Sequence, residues 1–296
     1  MHVALFIALL LAAGTPGAET VDFRMMAGSE LTLQFEQGLE GPARAIQDRY
    51  PRLRDELETF FGWEIDFRPT AVLIKSPALF RRLSASTLIV AYAVPRDNLI
   101  VMDFSRPNMH RRHGDNVFKH EMVHLLLHRH IQRTDIPRWF EEGVAQWASE
   151  GVAELLVSSG PAILEQAWVS GKTIPFRDLS ASFPRERRNL ALAYAQSRSL
   201  MTYIAEEYGA AKILEILNRM KAGEQFANAW QTSLDADPAV VQQRWLESGQ
   251  TATVWWTYLA RHIYEILFFT AALLTVIGFV RFLIRKRAYR DEWDDD

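Results

Sequence analysis

Residues 120–124 read His-Glu-Met-Val-His, and residues 137–145 read Pro-Arg-Trp-Phe-Glu-Glu-Gly-Val-Ala. The reading of this pair decides the fold. Four residues apart on a helix, His120 and His124 project from one face. Two imidazoles so placed can share one metal ion, and Glu121 lies beside them as a base for a water on that metal. A catalytic zinc site needs a third protein ligand and an open fourth position, and Glu142 is the candidate third ligand. Val117, Phe118, Met122, Val123 and Leu125 to Leu127 surround the first motif with apolar residues, which predicts a buried helix. Ionisable groups buried there are costly unless paired or bound to metal.

The two motifs resemble those of the gluzincin metallopeptidases, the peptidase MA-like superfamily. Members follow His-Glu-x-x-His with a second helix whose Glu, before a Gly, is the third zinc ligand. The resemblance assigns that role to Glu142 and puts Glu141 where many members carry Asn. It runs from about Val72 to about Trp245, with a weaker match at Ala193-Tyr194-Ala195-Gln196-Ser197. It implies one Zn2+ per chain on His120, His124 and Glu142, Glu121 as general base, and Tyr194 as donor to the developing oxyanion. It also implies a peptide or protein substrate, paired with a sheet edge near Ala91 to Val94. Position 146 is Gln where thermolysin-like members place a histidine-orienting carboxylate, so Gln146 is expected to accept a hydrogen bond from a ligand imidazole. A rival third ligand is His130, six residues after His124 as in metzincins. That pattern requires Gly at 127, which here is Leu127, and Met201 sits in a helical run rather than a Met-turn.

Outward from the motifs, Leu31 to Phe35, Ile65 to Ile74, Ile89 to Val94 and Leu99 to Phe104 read as strands, the last two as a hairpin through Pro95-Arg96-Asp97-Asn98. Leu39 to Phe61 reads as a helix and Leu79 to Leu83 as a short one. The metal helix is expected to start near Asp115 or Asn116. Pro137 suits the first turn of the helix bearing Glu142. Leu190 to Tyr208, Ile213 to Met220, Phe226 to Leu234 and Ala239 to Glu247 read as helices. The expected fold is therefore α+β, with a small mixed-sheet lobe (19–116), a helical lobe (117–250) and the zinc site between them.

The two ends carry membrane signals. Val3 to Ala13 is apolar and leads into Gly14-Thr15-Pro16-Gly17-Ala18, which reads as a signal peptide over 1–18. Ile263 to Ile284 is apolar apart from Glu265 and Arg281, and long enough for a transmembrane helix over 262–284. Trp255, Trp256 and Tyr258 precede it; Arg281, Arg285, Lys286, Arg287 and Arg290 follow it. The positive-inside rule makes 285–296 a cytoplasmic tail and puts residues 19–250 outside, at the periplasmic face of the inner membrane in a bacterium. A net charge of −3 over 296 residues gives no sign of a nucleic-acid partner. With no cysteine, zinc has only His and carboxylates to bind. The expected function is thus a membrane-anchored zinc metallopeptidase. The alternative is a catalytically silent tethered zinc or scaffold domain that binds proteins or peptides.

Overall fold

The computed structural model describes residues 22–84, 86–110, 112–132, 135–149, 161–249 and 252–293. The signal-peptide reading over 1–18 lies outside them, as do the last three residues of the tail.

Five strands form one sheet: β1 (Phe23–Ala27), β2 (Thr32–Glu36), β3 (Thr70–Ile74), β4 (Ala91–Val94) and β5 (Leu99–Asp103), in the order β1-β2-β3-β5-β4. The centre is parallel and both edge strands are antiparallel, which makes the sheet mixed. Alternate residues of the central strands feed two cores. Ala71, Leu73, Ile100 and Met102 join the main core, whereas Val72, Ile74, Leu99 and Val101 pack with Leu79 and Phe80 of α2 (Pro77–Ser84). On the main face lies α1 (Glu40–Phe61), which buries Ala43, Ile46, Tyr50, Leu53, Leu57 and Phe61 at helical spacing. It ends at Gly62, whose φ of 66° is the left-handed cap that glycine provides without strain.

The strand expected from Ile65 starts only at Thr70. Residues 63–69 are irregular, yet Trp63 and Ile65 are buried, so their apolar character reflects core packing and not strand pairing. β1, unanticipated, pairs along β2 but leaves Met25 66% exposed. The hairpin holds: Val94 faces Leu99 across a short 3₁₀ turn whose Asn98 takes a left-handed conformation.

The helix that carries His120 and His124, α3 (Arg112–His130), begins earlier than the sequence indicated and passes from β4 and β5 to the helical lobe. That lobe comprises α4 (Arg138–Ala148), α5 (Pro161–Ser170), α6 (Arg187–Ile204), α7 (Ala210–Lys221), α8 (Phe226–Leu234) and α9 (Pro238–Gly249). The expected helix to Tyr208 gives way at Ala205 to a π-helical turn ending at Gly209. Gly143 lets α4 and α6 touch: a Cβ there would lie 2.8 Å from the Ser197 carbonyl oxygen and 2.7 Å from Met201 Cγ. Trp139, Phe140, Phe226 and Trp230 fill the space behind α4. The last helix, α10 (Ala252–Trp293), contains His262–Leu283, a segment of 22 residues long and apolar enough to cross a membrane. The apolar side chains of residues 263–283 are exposed.

Candidate metal centre

Two helices make the site. On α3, Arg49 and Glu56 of α1 pair with Asp115 (2.9 Å) and Lys119 (3.0 Å), which fixes the rotation of the helix. His120 and His124 then face α4. On α4, Glu142 points back at them, and all three side chains are buried.

Their donor atoms converge. His120 Nε2 lies 3.3 Å from His124 Nε2 and 3.4 Å from Glu142 Oε2, and His124 Nε2 lies 3.8 Å from Glu142 Oε1. Bonds of about 2.0–2.1 Å to a tetrahedral zinc put neighbouring donors about 3.4 Å apart. The two nitrogens and the Glu142 carboxylate, with a different oxygen nearest each nitrogen, lie close to this spacing and suit a zinc ion, with one corner of the tetrahedron left over. Among the described residues, these are the His and acidic side chains grouped closely enough to hold a metal.

The outer nitrogens are engaged as well. His124 Nδ1 donates to Glu141 Oε1 at 2.7 Å, and His120 Nδ1 lies 3.5 Å from Ser149 Oγ. Such partners fix the ring orientation that presents Nε2 inward. Glu141 Oε1 also meets His128 Nε2 at 3.1 Å. Arg138 closes the group, with Nη2 at 2.5 Å from Glu142 Oε1 and Nη1 at 3.5 Å from Glu141 Oε2.

The charges are mutually compensating. Burial works against the charged form of His124, but Glu142 and Glu141 outweigh it and raise its pKa. Burial likewise opposes ionisation of Glu142, and Arg138, His124 and His120 overcome it and hold its pKa low. Glu141 is held low against burial by its bonds to His124 and His128 and by Arg138.

Glu121 is buried on α3, one residue beyond the first ligand candidate. His130 does not join the group: its Nε2 donates to the Glu64 carbonyl at 2.8 Å and its ring rests on Trp63. Gln146 does not play the part expected of it. Its Nε2 donates to the backbone carbonyls of Glu142 (3.3 Å) and Tyr194 (3.0 Å), and Glu141 is the carboxylate that meets an imidazole. Tyr194 is buried on α6 and its ring stands edge-on to Phe183 at 5.1 Å. Its backbone carbonyl accepts from Gln146 of α4. Sequence reasoning missed Arg138 and Ser149; the only available signal was their helical spacing of four from Glu142 and Ala145.

A sequence model of the Peptidase MA superfamily matches residues 84–250, more than half of the chain. The chain belongs to this superfamily. The matched span contains both halves of the metal centre and ends at the last helix of the helical lobe. No curated protein matches the chain. Two solved structures of an M1 zinc metallopeptidase from Deinococcus radiodurans, one of a mutant, are similar to this superfamily member at 15% and 16% identity, with TM-scores of 0.44 and 0.45. Each comparison covers 78% of this chain and 52% of the other, so the chain spans about half the length of that peptidase.

Proposed function

We propose that this chain is a membrane-anchored zinc metallopeptidase that hydrolyses peptide bonds. The observation that carries the reading is the donor geometry: two Nε2 atoms and the Glu142 carboxylate converge within 3.3–3.8 Å, with Glu141 and Ser149 beside the outer Nδ1 atoms. His120, His124 and Glu142 would hold the ion. Bound there, zinc supplies a Lewis acid for the scissile carbonyl and brings the pKa of a water to about 7.

The remaining steps fall to the chain itself. Glu121 takes the proton of the attacking water and delivers it to the leaving amine. Burial of the ligands excludes bulk water and strengthens the electrostatic interactions in the site. Tyr194 is the proposed oxyanion donor. β4 is an edge strand that packs on α3, so an extended peptide paired with it would run past the metal face. The peptidase unit comprises residues 19–250. Residues 262–284 cross the bilayer, and the basic residues after them keep the tail cytoplasmic and the peptidase unit outside.

The test is Glu121→Gln in the full chain, assayed with a mixed peptide library. Hydrolysis is expected to fall by about 10²–10⁴-fold with zinc content unchanged. Zinc bound and no hydrolysis by the wild-type chain on any peptide would favour the tethered scaffold instead.

A further inference from the structure

Arg138 stands outside the ligand set yet reaches two of its members. It opens α4, where helix spacing puts residues three and four positions on within reach. Its Nη2 lies 2.5 Å from Oε1 of Glu142 and its Nη1 3.5 Å from Oε2 of Glu141. Glu141 in turn accepts from His124 Nδ1. One guanidinium thus touches Glu142 directly and His124 through Glu141.

The contact divides the two oxygens of Glu142. Oε2 is turned to His120 Nε2 at 3.4 Å, while Oε1, 3.8 Å from His124 Nε2, lies against the guanidinium at 2.5 Å and is the oxygen for which metal and Arg138 compete. A carboxylate can grip a metal with one oxygen or with both. Two-oxygen binding would occupy the position that a catalytic zinc leaves open for water. A guanidinium hydrogen bond to a carboxylate oxygen is charge-assisted and directional, and competes for that second oxygen.

We propose that Arg138 is a positioning residue that confines Glu142 to one-oxygen coordination and so keeps the fourth site of the metal open. The proposal rests on the zinc reading above. Arg138 is suited to replacement: its side chain is 37% exposed, and its backbone N–H bond to the Ser180 carbonyl at 2.8 Å is kept by Gln and Lys alike.

The experiment replaces zinc with cobalt(II) in the full chain in detergent. Visible absorption of cobalt is intense at low coordination number and weak at high. The wild-type chain is expected to give the intense spectrum. Arg138→Gln should lose intensity at an unchanged metal content of one per chain. Arg138→Lys, whose ammonium still reaches a single carboxylate oxygen, should restore it. An Arg138→Gln spectrum identical to wild type overturns the proposal while leaving the zinc site intact. A wild-type chain that takes up no cobalt and no zinc overturns both readings. Should Arg138→Gln fail to fold, X-ray absorption at the zinc edge of the wild-type chain decides. The distance to the carboxylate carbon separates one-oxygen from two-oxygen binding, and two-oxygen binding overturns the proposal.

Discussion

The candidate metal centre and α10 break the same rule in opposite directions. Between α3 and α4, His120, Glu121 and Glu142 are ionisable and wholly buried, at 0% exposure. Along α10, Phe268 and Phe269 are apolar and each 69% exposed. Charged groups are almost never fully buried unless paired, and contiguous exposed apolar surface marks an interaction site. The first fits a cation that gathers its donors; the second fits a hydrocarbon layer that covers its side chains. The difference lies in what holds each region in the meantime. The centre carries its own compensation in Arg138, Glu141 and His128, whereas residues 263–283 of α10 are exposed among the described residues.

The largest expected effect comes from α10. Ending the chain after residue 250 should move the protein from the membrane fraction to the soluble fraction while leaving its zinc content intact. A shortened chain that stays with membranes would break the contrast, because the anchor would then lie elsewhere. A smaller effect sharpens the account of the centre. Glu141→Ala removes the acceptor of His124 Nδ1, and zinc affinity is expected to fall by about 10–100-fold in a metal titration. Unchanged affinity would mean that the Glu141 contact does not position the ligand.

The smallest effect concerns pH. The His124 pKa is raised above 6.5 in the metal-free site, so the stability it contributes is complete below that value and lost as pH rises through the raised one. Glu141 and Glu142, both lowered, contribute above the ordinary carboxylate range and lose that contribution as pH falls through their lowered values. Zinc needs a neutral imidazole, so it displaces the His124 proton and binds more weakly as pH falls. The thermal midpoint of the chelated chain should therefore decline on the alkaline side. That of the zinc-loaded chain should hold there. Parallel profiles would show that the proton and the metal do not compete at His124.

The sequence made the centre legible where the chemistry is local. His120 and His124 lie one turn apart, and Glu142 precedes a glycine on the next helix; neither reading needed the rest of the fold. The outer partners were hidden because they depend on how α4 meets α3. Ser149 nears His120 and Glu141 nears His124 only once that packing exists, whereas Arg138 lies one turn before Glu142 on the same helix, and Gln146 turns to Tyr194 because α6 approaches at Gly143. The sheet was legible where burial alternates or is continuous, in β2, β3 and β5. It misled at Ile65, where an irregular segment is buried for its own sake, and gave no sign of β1, whose residues are largely exposed.

The central claim is a zinc ion held by His120, His124 and Glu142. Metal content of the purified full chain, alongside Glu142→Ala and His130→Ala, tests it most directly. The account predicts one zinc per wild-type chain, lost with Glu142→Ala and kept with His130→Ala. Zinc kept with Glu142→Ala, or lost with His130→Ala alone, would contradict it.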